Sequence, residues 1–159
     1  MKKEIFIPTE LINSFTKQVI DKFPQKAFGY FISSIEGGNP DEFIMFSNDQ
    51  RNEWKDMFEE YGNYYVRNND AGFLANEEEV YEINKLIKNK GKHIVGVFHS
   101  HQRHPAIFST VDIDLHPSPK LWHLIISLRN IESPQIKAFE IQENVPNELE
   151  IVRVNQQYV

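Results

Sequence analysis

Gly96-Val97-Phe98-His99-Ser100-His101, followed by the loop 102–108 and then Ser109-Thr110-Val111-Asp112, is the stretch on which the reading of this chain turns. It has the pattern of a buried strand that runs into two histidines at i and i+2, then a short connection, then a serine and an aspartate three residues apart. In an extended chain, residues two apart point to the same face, so His99 and His101 can aim their imidazoles at one point. A catalytic zinc commonly takes three protein ligands and keeps a fourth position for water. His99, His101 and Asp112 supply such a set, and Ser109, one helical turn before Asp112, can offer its hydroxyl to a developing oxyanion or to the water.

A second reading of the same residues stays open. Ser109-Thr110-Val111-Asp112 is close to a helix capping box, with Ser109 as N-cap and an acid three residues on, and that alone explains both residue types. His104 is either a further ligand, giving a three-histidine site with His99 and His101, or an exposed loop histidine before Pro105. Asp114 competes with Asp112, and both cannot face one ion because residues two apart on a helix diverge. His93, His116 and His123 read as structural.

The rest of the chain limits what such a site can belong to. Its 159 residues suit one domain, 1–159, with a substantial core. Forty per cent hydrophobic and 25% charged residues is ordinary globular composition. The net charge of −6 argues against a duplex nucleic-acid binder, which needs clustered Lys and Arg. There is no cysteine, so disulfides, thiolate catalysis and thiolate zinc sites are excluded and any transition-metal site must use His and carboxylate. No apolar run approaches the roughly 20 residues of a membrane span, and Met1-Lys2-Lys3-Glu4-Ile5 lacks the apolar core of a signal peptide, so a cytoplasmic protein with no membrane partner is expected.

Periodicity sets out the elements. Glu4–Ile7 predicts a strand. Thr9 is the expected N-cap of a helix in which Leu11, Ile12, Phe15, Val19 and Phe23 recur at three- and four-residue spacing until Pro24 stops it. Ala27–Ile35 and Glu42–Ser47, separated by Gly37-Gly38-Asn39-Pro40, predict a hairpin. Residues 48–72 alternate polar, acidic and aromatic without a period, the mark of a functional loop or of an insertion pinned to the surface. A second helix begins at Asn76, with Glu77, Glu78 and Glu79 in its first turn and Lys88 and Lys90 in its last, as the helix dipole favours. Strands at His93–Phe98, Trp122–Leu128, Ile136–Ile141 and Leu149–Val154, a short helix from Thr110, and turns at Pro134 and Asn144–Asn147 complete an α/β (α+β) chain. The expected architecture is a mixed, mainly antiparallel sheet flanked by two principal helices.

The spacing His-x-His, seven residues, Ser, two residues, Asp, present as His99, His101, Ser109 and Asp112, resembles the JAMM (MPN-plus, Mov34/PAD-1) metalloproteases. The resemblance extends to the helix ending at Phe23-Pro24, the glycine-containing strand after it, the helix before the motif strand, and the strands from Trp122 and Ile136; 48–72 is the least matched part. It implies the three-layer arrangement shared with cytidine deaminases and one Zn2+ on His99, His101 and Asp112, with Ser109 assisting. The implied activity is hydrolysis of a peptide or isopeptide bond after the C-terminal glycine of a ubiquitin-like or sulfur-carrier protein, as in the small bacterial members. The oligomeric state, a homodimer included, is left open.

One position departs from the family. Its general base is a glutamate in a Pro-x-Glu-x-x-Gly context, and here the corresponding stretch is Pro24-Gln25-Lys26-Ala27-Phe28-Gly29, with Lys26 at the glutamate's position. An ammonium has donors and no acceptor. Lys26 therefore either loses its proton beside the cation and acts as base, or leaves a catalytically silent domain that binds a carrier or a partner subunit. Glu36 lies too far along the hairpin to substitute; Asp21, Glu4, Glu59, Glu60 and Asp70 are the other acids to weigh.

Overall fold

The computed structural model describes residues 3–47, 77–107, 120–143 and 145–155. The insertion 48–72, the short helix from Thr110, and Ser109, Asp112, Asp114 and His116 lie outside the described residues. The described elements are β1 (Glu4–Pro8), α1 (Thr9–Lys22), β2 (Phe28–Ser33), β3 (Glu42–Met45), α2 (Glu77–Asn89), β4 (His93–His101), β5 (Trp122–Ser127), β6 (Gln135–Gln142) and β7 (Val145–Val154). Seven strands form one sheet in the order β1-β7-β6-β5-β4-β2-β3. The pairs β1/β7 and β4/β5 are parallel and the others antiparallel. The motif strand β4 is thus enclosed by β2 and β5.

The two helices cover opposite faces, because the strands are apolar on both. On one face Ile12, Phe15 and Val19 of α1 pack on Ile7, Ala27, Phe31, Phe98, Leu124 and Ile126. Phe15 is the hub: its ring centroid lies 4.8 Å from that of Phe98 at 82° and 5.1 Å from that of Phe31, edge and tilted contacts that suit the aromatic quadrupole. On the other face Ile83 and Ile87 of α2 meet Phe28, Ile32, Phe46 and Val97. Alternation along β2, with Phe28 and Ile32 on one side and Ala27 and Phe31 on the other, supplies both cores.

Three expectations need correction. Thr9 is already helical; Pro8 occupies the N-cap position with φ −56° and makes no side-chain cap, because β1 runs straight into the helix. The motif strand does not stop at Phe98 but continues through His101, since β5 pairs with it as far as the match of His101 with Ser127. The turn expected at 144–147 falls earlier: Glu143 takes the left-handed conformation (φ 53°) and β7 resumes at Val145.

Close packing shapes β4. Its register against β2 slips between Phe31/Gly96 and Ile32/Ile94, a bulge at Val95 that sends Val95 into the α1 core while Val97 faces α2. A Cβ on Gly96 would lie 2.6 Å from the Trp122 ring, and one on Gly29 2.0 Å from the Ile44 carbonyl oxygen. Only glycine lets these strands approach so closely.

Electrostatics tie the start of β3 to the end of α2. Lys92 Nζ reaches Asp41 at 2.8 Å and Glu42 at 2.9 Å, and Lys90 reaches Glu42 at 2.7 Å. Partial burial alone would raise the Asp41 carboxyl, but hydrogen bonds from Lys92 and Ser34 outweigh it and hold the group below the usual range. The bond from Lys90, against partial burial and with help from Lys92, does the same for Glu42. Asp41 and then Glu42 raise Lys92 in return. Ser47 donates through its backbone N–H (2.8 Å) and its hydroxyl to the Glu79 carboxylate. Residues 47 and 79, on either side of 48–76, therefore meet at the His99 end of the sheet, where Phe28 pairs with His99.

Two outcomes follow from this packing. Gly96→Ala should lower stability by about 1–3 kcal/mol, the usual cost of overpacking, read as a fall in denaturant midpoint; unchanged stability would contradict the Trp122 contact. Carboxylates with lowered pKa stabilise the fold above their unfolded values, about 3.9 and 4.3, and lose that contribution as pH falls through the lower folded values. Lys92, being raised, keeps its contribution below about 10.4. Lys92→Met should therefore cost about 0.2–1 kcal/mol at pH 7, the range for solvent-screened pairs, and the deficit should shrink below about pH 4; an equal deficit at pH 7 and pH 3 would contradict the network.

Candidate metal centre

The alternation of β4 beyond its bulge puts Val97, His99 and His101 on the α2 side of the sheet. Both histidines are enclosed, at 2% and 1% exposure. Their Nε2 atoms are 3.1 Å apart and their ring centroids 5.0 Å apart. At zinc–nitrogen bonds of about 2.0–2.1 Å, two imidazoles on one tetrahedral ion have nitrogens about 3.3–3.4 Å apart. The observed separation fits that geometry, and it equally fits one ring donating to the other.

The far side of His101 decides its tautomer. Its Nδ1 lies 3.0 Å from the carbonyl oxygen of Pro105. A carbonyl only accepts, so Nδ1 carries the hydrogen and donates, leaving a lone pair on Nε2. This is the outer bond that ligating histidines usually make, and it orients the ring and raises its basicity. Pro105 holds this place because the loop 102–107 folds back over the strand ends: Ile107 N–H donates to the same carbonyl at 2.9 Å, and Leu128 N–H donates to the His101 carbonyl at 2.8 Å.

His104 does not complete a three-histidine site. Its ring centroid is 6.4 Å from that of His101, its carbonyl accepts the Ser127 hydroxyl, and no group of three His, Asp or Glu side chains converges among the described residues. Tying its backbone to β5 leaves the ring beside His101 rather than over the Nε2 pair. His93 is exposed at the opposite end of β4, and His123 is buried in β5 opposite Val97.

Backbone register carries the position of Lys26 toward the pair. The β2/β4 ladder matches Phe28 with His99; one step on, Ser100 N–H donates to the Ala27 carbonyl and Ala27 N–H donates to Ser100 Oγ, both at 2.8 Å. The next position, opposite His101, is the half-buried Lys26. Ser100 is 1% exposed and its side chain faces away from the histidines, so the residue between the two ligand candidates fastens the chain carrying Lys26. Of the acids weighed as substitutes, the three described ones stand elsewhere. Glu36 borders a hollow with Gly91 and His93 at the far end of the sheet, Asp21 borders a groove with Pro134 and Arg153, and Glu4 is on the outermost strand β1. Glu59, Glu60 and Asp70 lie outside the described residues.

Sequence reasoning missed the Pro105 carbonyl and the residues that support it, Ser127 and Gln135. A backbone acceptor has no sequence signature. The only hint was a serine closing an otherwise apolar strand, Leu124 to Ser127.

Comparison with known proteins agrees with the fold. A solution structure of a protein from Desulfitobacterium hafniense has a TM-score of 0.73 at 23% identity, over 96% of this chain and 94% of that one. One from Salinibacter ruber has a TM-score of 0.65 at 16% identity, again over 96% and 94%. The crystal structure of a JAB1/MPN domain protein from Archaeoglobus fulgidus has a TM-score of 0.52 at 16% identity, over 94% of this chain and all of that one. At these identities the likeness is one of fold: a mixed sheet between two helices. No curated protein sequence gives a significant match. The model for prokaryotic homologues of the JAB domain matches residues 8–142, and the chain belongs to that family.

Proposed function

We propose that this chain is a zinc-dependent peptidase or isopeptidase acting after the C-terminal glycine of a ubiquitin-like or sulfur-carrier protein. The observation that carries the reading is the buried His99/His101 pair, with Nε2 atoms 3.1 Å apart and the His101 Nδ1 donating to a backbone carbonyl. His99 and His101 would hold the ion with Asp112. Zinc, when bound, supplies a Lewis acid for the scissile carbonyl and lowers the pKa of water to about 7.

The chain's own groups have separate tasks. Ser109 offers a hydroxyl donor to the oxygen that gains charge as the carbonyl is attacked. The carrier's tail, extended, can add to the free edge of the described sheet at β3, two strands from the motif and at the same end of the sheet as the Ser47/Glu79 contact. Lys26, opposite His101 in register, takes the place of the family's acid. As a neutral amine it accepts a proton from water and passes it to the leaving amine. As an ammonium it can only donate, toward the scissile carbonyl or toward the carboxylate of a cleaved tail.

The second reading, a silent domain that binds a carrier protein or a partner subunit, is favoured by that same residue, since an ammonium has no acceptor for the proton of water. Cleavage of a fusion with a C-terminal Gly-Gly carrier, by the present chain and by Lys26→Glu with zinc supplied, separates them. The peptidase reading expects both to cleave, with the glutamate variant faster by about 10²-fold or more, the usual scale of general acid–base catalysis. Cleavage by Lys26→Glu alone would establish the silent reading, and cleavage by neither would remove the peptidase.

A further inference from the structure

The loop that presents the Pro105 carbonyl is fastened on both sides of that residue by side chains from two neighbouring strands. Ser127, the last residue of β5 and the register partner of His101, donates its hydroxyl to the His104 carbonyl and accepts from Arg129 N–H at 3.3 Å. Gln135, the first residue of β6 and the register partner of Ser127, accepts the Ala106 N–H on its Oε1 at 3.1 Å. Proline has no N–H of its own to anchor, so the position of its carbonyl is set by what holds residues 104 and 106. Ser127 is 2% exposed and Ala106 0%, the latter packed on Ile125 and Phe139. Ser127 and Ala106 are therefore shielded from water, so a group orphaned on either has a real cost, while Gln135 reaches Ala106 from the exposed start of β6.

We infer that Ser127 and Gln135 form a two-point clamp, positioning residues that hold the Pro105 carbonyl against His101 Nδ1 and thereby keep the Nε2 lone pair of His101 aimed at the space it shares with His99. Neither residue is a ligand; each acts through the loop. The matches of His101 with Ser127 and Ser127 with Gln135 line up three strands, so the backbone positions that carry the clamp are fixed by the sheet. This inference rests on the metal reading above for its consequence, and on the hydrogen bonds of Ser127 and Gln135 for its geometry.

The test uses the full-length chain and two readouts. Zinc affinity is measured by competition with a chelator, and the His101 tautomer is read from 15N shifts of the neutral ring in zinc-free protein. Ser127→Ala and Gln135→Met should each weaken zinc binding about 10–100-fold, the usual effect of losing an outer-sphere partner, and should lower the population protonated at Nδ1. Ser127→Thr and Gln135→Glu keep the hydroxyl and the acceptor oxygen and should remain near wild type on both readouts. Lys92→Met, which weakens the fold far from the loop, should leave both unchanged and so controls for general destabilisation. If Ser127→Ala does not fold, Gln135→Met decides alone. Wild-type affinity and tautomer in the folded alanine and methionine variants would overturn the clamp. A wild-type chain that binds no zinc would sink the metal reading instead, with the tautomer readout still judging the clamp.

Discussion

Two buried imidazoles with nitrogens 3.1 Å apart must share something. Either one ring gives the other a proton, or both give their lone pairs to a cation, and nearly everything around β4 bears on that alternative. With Nδ1 of His101 committed to the Pro105 carbonyl, its Nε2 is an acceptor whichever holds. Both rings are buried, which makes the shared point a polar focus at the end of a mostly apolar strand.

The fold fixes the position of both rings. Strands β2 and β5 flank β4 on both sides, and the bulge at Val95 sets which face the histidines occupy. Gly96 lets Trp122 close over the strand. Ser100, between the histidines but on the opposite face, fastens Ala27 and so brings the position of Lys26 alongside His101. One strand end therefore carries two potential ligands, fixes the tautomer of one and places the residue that would move the proton. If the pair holds a metal as proposed, a lysine where the family resemblance implies an acid would set the chemistry of this chain apart, because a cation beside a cation must either shed its proton or act only as a donor.

Much of this was legible in residue order. The spacing of Ile12, Phe15 and Val19 showed a helix because each side chain faces one core, and the alternation of β6 was plain for the same reason. The convergence of His99 and His101 follows from strand geometry alone. What could not be read were features that depend on partners distant in sequence. The extension of β4 through His101 depends on pairing with Ser127, and the Val95 bulge on a slip against Phe31 and Ile32. The tautomer of His101 depends on a backbone carbonyl, which any residue possesses. The proline at position 8 was visible, but that it would stand at the N-cap in place of Thr9 depended on β1 entering the sheet beside β7.

The most direct test of the central claim is a calorimetric zinc titration of the chain beside His99→Ala and His101→Ala. One equivalent bound by the wild type, and lost in each single variant while the folded spectrum is kept, is the result expected of a single site built on both Nε2 atoms. No binding by the wild type, or binding retained in both variants, would contradict a metal site built on the two rings.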